Sequence, residues 1–344
     1  MKRILITEPG GHEALRWVEE ADPDPGPGQV RVRVRAAGVN YADCMVRMGH
    51  YKAAEGLYPM SPGFEFSGVV DALGVGAEGF CEGDRVFGIT RFGGYADTQI
   101  VEPWRLWPIP EGWSFEEAAA FPAVHFTAYY GLHWAAKVEA GETVLIHSAA
   151  GGAGSAFVRL AKIAGCRAIG VVGSQEKADA CVALGADAVI VRSRGRLWED
   201  ADRIAPKGFD AIFDANGVST PRPGYRRLKA GGRLVVYGFA EIMPRGNQNP
   251  SLFRLGFNYL RVPKFSPFEM TSSNRAVMGF NVIFLFGDRE LARVGMKDLL
   301  GWVADGKLRP GSTTAFPMER AADAHRALES GTTTGKLVLT TGAD

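Results

Sequence analysis

The residues whose types and spacing best fit a chemical task lie at positions 143–154, Thr-Val-Leu-Ile-His-Ser-Ala-Ala-Gly-Gly-Ala-Gly. Ala149, Gly151 and Gly154 keep the spacing of the dinucleotide fingerprint G-x-G-x-x-G, with alanine in the first place. The task of such a turn is to bind, not to make bonds. Residues with little or no side chain let a pyrophosphate approach the backbone. A helix that starts there offers N–H groups without acceptors and the positive end of its dipole. On this reading Ala150, Gly151, Gly152, Ala153 and Gly154 bind a cofactor's phosphates. Any tight strand-to-helix turn also needs small residues, so the surroundings must decide.

Those surroundings supply the positioning elements. Val144, Leu145 and Ile146 read as a buried parallel strand. Ala156, Phe157, Leu160 and Ala164 then fall at helical spacing, and Gly165 stops the helix. Further apolar runs at 168–172, 188–191, 210–213 and 233–236 alternate with helical stretches such as 176–184, closed by Gly185. That alternation predicts an α/β fold with a doubly wound parallel sheet of the Rossmann type. An NAD site carries Asp or Glu at the end of the second strand, where it holds the ribose hydroxyls. Val172-Gly173-Ser174 stands there instead, with Lys177 just beyond and Arg192 after the third strand. Cations without a carboxylate favour a 2′-phosphate, hence NADPH, with Gly173, Ser174, Lys177 and Arg192 around it. The alternative is that these are ordinary solvated charges, which is how Arg194 reads. The absent carboxylate also weighs against a methyltransferase.

Length and composition set the bounds. A chain of 344 residues is too long for one comfortable core, so two domains are expected. A formal net charge of +1 gives no electrostatic case for nucleic acid or an anionic membrane. Cys44, Cys81, Cys166 and Cys181 show neither metal-ligand spacing nor a disulfide framework. No apolar run approaches the roughly 20 residues of a spanning helix, and the basic N-terminus leads into a short strand. A cytoplasmic location is expected.

The N-terminal part reads as β-rich. Val30, Val32 and Val34 alternate with Arg31, Arg33 and Arg35, the pattern of a strand with one wet face. The Pro- and Gly-rich residues 22–28 before it must be a turn. Further strands are expected at 66–73, 85–89 and 95–101, and a helix begins near Phe121-Pro122.

Several motifs occur here in one order: Gly38-Val39-Asn40-Tyr41-Ala42-Asp43, Pro62-Gly63-Phe64-Glu65, Gly83-Asp84-Arg85-Val86, Gly94-Tyr95-Ala96, Phe126-Thr127-Ala128-Tyr129 and Gly335-Lys336-Leu337-Val338-Leu339. With the nucleotide fold, they make the chain resemble the medium-chain dehydrogenase/reductase superfamily from end to end. The resemblance is to its zinc-independent quinone oxidoreductase (ζ-crystallin-like) branch. The segment 274–280 is similar to the synaptic vesicle VAT-1-like subgroup. The resemblance implies a β-rich GroES-like domain from residues 1–123 and 284–344 around a Rossmann domain at 124–283. It implies NADPH as cofactor and a quinone or related conjugated carbonyl as hydride acceptor. Two alternatives stay open: an NADPH-dependent enone or enal double-bond reductase, and a low-turnover NADPH-binding protein.

Departures from the zinc alcohol dehydrogenases are chemically specific. Their three catalytic metal ligands, Cys, His and Cys, correspond here to Asn40, Phe64 and Ala123. Phe and Ala cannot coordinate zinc, and Asn is a poor ligand. Ala42 and Met45 replace the proton relay, so nothing would stabilise an alkoxide. No metal site is expected. The resemblance places Asn40 and Asp43 on the active-site turn as candidate catalytic residues. Asn40 would bond the cofactor's carboxamide, a substrate oxygen or its own backbone. Thr127, Asn216, Tyr237, Gly238, Phe280 and Lys336 would also contact cofactor, and Met45, Tyr51 and Phe64 would line the substrate pocket. His125 and His147 read as packed histidines rather than catalysts. No residue is a clear proton donor, so water is expected to supply the proton, which an electrophilic quinone tolerates.

The stretch 241–275 is too apolar for a loop: Leu252, Phe253, Leu255, Phe257, Tyr259 and Leu260 are interrupted by Pro250, Pro263 and Pro267. It reads as a lid on an aromatic site or as a helix packed on the domain or a partner. The segment 276–280 resembles the sixth strand of the nucleotide sheet, an edge that pairs in relatives, so a homodimer is expected.

Overall fold

In a computed structural model, residues 1–242 and 260–342 are described. The chain divides into two compact units: Met1–Phe126 with Val282–Asp344, and Thr127–Asn281.

The second unit is a six-stranded, wholly parallel sheet. Its strands run across the sheet in the order Ala188–Val191, Arg167–Val172, Thr143–His147, Phe209–Asp214, Leu228–Val236, Ala276–Gly279. In chain order that is 3-2-1-4-5-6, the doubly wound arrangement. Strands covered on both faces must be apolar throughout, and Val144, Leu145, Ile146, Ala168 and Ile169 are fully buried. The helix Gly152–Ile163 follows the first strand and Gly165 turns the chain out of it with φ of 77°. Every strand expected in this unit is present, within a few residues of its bounds. The longest extension is Leu228–Val236, whose register slips against Phe209–Asp214.

The first unit is a seven-stranded sheet, mostly antiparallel. Its order is Thr313–Pro317, Lys336–Thr340, Val30–Val39, Glu65–Leu73, Arg85–Ile89, Leu106–Pro108, with Thr98–Val101 also paired to Val30–Val39. The valines of Val30–Val39 are buried while Arg31, Arg33 and Arg35 are half-buried, the alternation expected of that sequence. Arg31 and Arg33 share Asp71 on the next strand, at 2.9 and 2.6 Å. The expected strand 95–101 is shorter, Thr98–Val101, because the Tyr95 carbonyl is taken by the Ile4 amide and Ala96 bridges Arg3.

Of the stretch 241–275, Pro250, Leu252, Phe253, Leu255, Phe257 and Tyr259 lie outside the described residues. Its later part packs on the nucleotide unit. The helix Pro267–Ser273 is tied by Arg222–Glu269 at 2.7 Å, and Phe265 lies against Tyr225 at 5.2 Å between ring centres.

Candidate active site and cofactor site

The glycine turn forms as its residues require. Gly151 is the extended N-cap of the helix Gly152–Ile163, and the first helical bond runs from Ser155 N–H to the Gly151 carbonyl. The amides of Gly152, Ala153 and Gly154 therefore have no intrahelical acceptor. A Cβ on Gly154 would lie 2.1 Å from the Ser148 carbonyl oxygen, so only glycine lets the helix sit this close to the strand. At Gly151 the same carbonyl would be 3.3 Å away. Of the two, Gly154 is thus the packing glycine, and Gly151 keeps the mouth of the turn open. Ala150 is buried beneath it. The donor set fits a diphosphate.

Around the turn the expected cofactor residues fall in two groups. Gly173 and Ser174 follow the end of the second strand, where a Cβ on Gly173 would meet nothing within 4 Å. Ser174 Oγ donates to the Glu176 carboxylate at 3.1 Å, so a carboxylate stands four residues past the strand end after all. Burial holds the Lys177 ammonium below its usual range. Arg192 pairs with Glu241 at 3.6 Å, and Glu241 is also held by Ser219. The second group is apolar. Tyr237, Phe157, Phe280 and Tyr130 form a run of rings, with centroid distances of 4.8 Å for Phe157–Tyr237 and for Tyr130–Phe280. The Tyr237 hydroxyl is buried with no partner among the described residues, and burial raises its pKa. Asn216 is fixed by its amide on Asp214 at 2.8 Å and by Thr220 at 3.2 Å, and Gly238 lies against the Ala215 carbonyl. Thr127 opens this unit.

The candidate catalytic residues lie in the other unit. The helix Tyr41–Arg47 begins at Asn40, and Asp43 fastens that start. Its carboxylate accepts the amides of Asn40 and Gly63, both at 2.8 Å. Full burial pushes the Asp43 carboxyl up to about 7, against the pull of those two amides. Asn40 joins a group that sequence reading did not assemble. Its Nδ2 donates to Glu65 Oε1 at 2.9 Å, and its Oδ1 accepts from Lys336 Nζ at 2.5 Å. Lys336 also reaches Glu65 Oε1 at 2.6 Å, and Glu65 Oε2 accepts the Ala123 amide at 2.7 Å. Glu65 is fully buried and Lys336 nearly so. Gly38 makes room for the carboxylate, since a Cβ there would lie 2.3 Å from it. A signal was present in the sequence: a carboxylate between Phe64 and Phe66 at the head of an apolar strand must find a partner.

Phe64, at the second metal-ligand position, instead packs against Tyr51 and Phe92 at 5.9 and 5.6 Å. Tyr51 and Phe64 are thus brought together as expected wall residues, with Phe92 as an unforeseen third, while Met45 is half-buried on the helix. His125 stacks on Phe121 at 4.1 Å and its Nδ1 meets the Phe121 carbonyl. His147 is buried 3.8 Å from Asp214, without a hydrogen-bond partner among the described residues, and burial lowers its pKa.

At its other end the helix Tyr41–Arg47 enters a second buried polar group, also unforeseen. Cys44, His325 and Glu329 place their ligand-type atoms within 4.8 Å of one another. Glu329 is already engaged by Arg47 and by His12, each at 2.9 Å, and Tyr95 bonds His325 at 3.1 Å. Burial holds the Cys44 thiol well above its usual range. With a guanidinium on the carboxylate and a protonated thiol, this is a charge-balanced packing network.

One chain that holds a doubly wound parallel unit and a mostly antiparallel β unit has the two parts of a dehydrogenase/reductase, and the relatives agree. Residues 26–111 match the family described as alcohol dehydrogenase GroES-like domain, and residues 184–339 match zinc-binding dehydrogenase. The human synaptic vesicle membrane protein VAT-1 homolog is 33% identical over 100% of this chain and 87% of its own length. Quinone oxidoreductase of Pongo abelii is 29% identical over 98% of this chain and 97% of its length. Among solved structures, Escherichia coli quinone oxidoreductase complexed with NADPH is 26% identical with a TM-score of 0.86, covering 99% of this chain and 100% of that one. The chain belongs to the medium-chain dehydrogenase/reductase superfamily, an oxidoreductase family, in the branch that holds the quinone oxidoreductases and VAT-1 homologues. Among the described residues, no helix is long and apolar enough to cross a membrane.

Proposed function

We propose that the protein is an NADPH-dependent, zinc-independent oxidoreductase that passes a hydride to a quinone or a related conjugated carbonyl. The observation that carries this is the open helix start at Gly152, Ala153 and Gly154, in a family relative of which binds NADPH. Those amides would hold the diphosphate, and Lys177, Ser174 and Arg192 would take the 2′-phosphate. When bound, the cofactor would supply a hydride, two electrons carried with one proton. The protein's part is to bind and orient, with Asn40 as the polar group of the active-site turn and Tyr51, Phe64 and Phe92 as an apolar wall. Asn40, Phe64 and Ala123 offer no metal-ligand set, which favours chemistry without zinc.

Edge strand Ala276–Gly279, with Met278 exposed, supports a homodimer through that edge, and sedimentation at micromolar concentration tests it. Four free thiols fit a reducing, cytoplasmic compartment. The functional test is to follow NADPH oxidation with a panel of quinones, enones and enals. Turnover of quinones is expected. Turnover of enones alone would make it a double-bond reductase, and tight NADPH binding with no acceptor reduced would make it a cofactor-binding protein.

A further inference from the structure

We infer that Lys336 and Glu65 are positioning residues that fix the Asn40 carboxamide as a hydrogen-bond donor toward an oxygen of the electron acceptor. An ammonium can only donate and a carboxylate can only accept. With Lys336 on one side and Glu65 on the other, the amide has a single orientation: Oδ1 to the lysine, Nδ2 to the glutamate. One Nδ2 hydrogen is used on Glu65, and the second has no acceptor among the described residues. Asn40 is half-buried, so that hydrogen is presented by a group that itself reaches solvent. The two charges behind it are 6% and 0% exposed. In such a low-dielectric setting, a cation on the amide oxygen draws charge from the nitrogen and strengthens the remaining N–H as a donor.

The need for such a donor follows from the hydride chemistry, so the inference rests on the function proposed above. Hydride addition to a conjugated carbonyl moves an electron pair onto the carbonyl oxygen, the reduced nicotinamide becomes oxidised, and a proton from water completes the product. A preorganised N–H at that oxygen stabilises the charge as it develops. Asn40 stands at the first of the three positions that carry zinc ligands in the alcohol dehydrogenases. Here a lysine acting through an amide takes over part of the metal's polarising role. A quinone spreads its charge over a ring and needs little of this help, whereas an enone needs more.

Two variants test it. Asn40→Asp keeps an acceptor for Lys336 but removes the donor. The pair Glu65→Gln with Lys336→Met removes both charges without leaving either one buried alone. Three readouts are needed: NADPH affinity by fluorescence titration, kcat and KM across acceptors from quinones to enones, and the Asn40 side-chain amide signals by NMR. The expected result is NADPH affinity within about threefold of wild type and a kcat loss of about 10- to 100-fold on enones, less than tenfold on quinones. The paired variant should also shift the Asn40 amide signals. An equal loss on every acceptor, or a loss of NADPH affinity as large as that of kcat, would overturn the inference. So would Asn40 signals that ignore the paired variant, a result independent of turnover. If the pair does not fold, the acceptor dependence of Asn40→Asp decides. Wild type that binds NADPH but reduces no acceptor would instead sink the functional proposal, leaving the NMR result to judge the positioning.

Discussion

The two units build their sites in opposite ways. In Thr127–Asn281 the phosphate turn is made from backbone amides of one continuous strand, turn and helix, so twelve neighbouring residues contain it. In the other unit Asn40, Glu65, Ala123 and Lys336 come from four separate segments, and side-chain charge holds them together. A site of the first kind is vulnerable to volume. A site of the second kind is vulnerable to charge.

The largest effect should come from volume at the first site. Gly154→Val would drive a side chain into the Ser148 carbonyl and the Ala149 backbone, and a clash with backbone cannot be relieved by rotamer change. We expect more than about 4 kcal/mol of lost stability by denaturant unfolding. Gly151→Ala, with its contact at 3.3 Å, should keep the fold and lose cofactor affinity instead. If both variants unfold alike, the two glycines do not divide the work.

Charge at the second site comes next. Lys336→Met alone leaves the Glu65 carboxylate buried and unpaired, a loss of about 3–5 kcal/mol. Adding Glu65→Gln should recover much of it. Two losses that simply add would show that the pair is not coupled, and the contrast between the units would fail.

Asp43 sharpens the same contrast through pH. Burial pushes its carboxyl up to about 7 from the ordinary aspartate range, so the folded state holds the proton more tightly. The group's contribution is then fully present below the unfolded pKa and lost as pH rises toward 7, by at most about 1.4 kcal/mol per unit. Wild type should lose stability relative to Asp43→Asn between about pH 4 and 7. Parallel stability curves for the two proteins would mean that the two amide bonds cancel the effect of burial.

Cofactor choice should show the smallest effect. Lys177→Ala should weaken NADPH by about 1–2 kcal/mol, roughly five- to thirtyfold, with NADH nearly unchanged. Arg192→Ala should do less, because Glu241 already shares that guanidinium. Equal wild-type affinity for NADH and NADPH would refute the 2′-phosphate assignment.

The same contrast explains what could be read in the sequence. Strand runs, helix stops and the glycine spacing are local patterns, and each expected strand of the nucleotide unit is found. The group around Asn40 was only half legible. Asn40 and Lys336 were marked by family motifs, but nothing local joins residues 296 apart in the chain, and Glu65 appeared merely as the last letter of a motif. The network of His12, Arg47, His325 and Glu329 was missed for the same reason. His325 and Glu329 are four apart and share a helix face, yet their partners Tyr95, Arg47 and His12 lie 230 residues or more upstream. The carboxylates of Glu176 and Glu241 lie away from the strand end, where the dinucleotide pattern does not mark them.

The strand Lys336–Thr340 lies between Thr313–Pro317 and Val30–Val39, not at an edge. During synthesis, then, the interior of this sheet is completed last. At about 5–20 residues per second, a ribosome adds Lys336 about 15–60 s after Asn40. In that interval the nucleotide unit, made from contiguous chain, can fold on its own. Once Thr98–Val101 has paired with Val30–Arg33, the Ala36–Val39 half of that strand still has one open side, and Glu65 has a counter-ion that does not yet exist. A chaperone that recognises unpaired strand edges would meet its longest-lived target in this half of the protein.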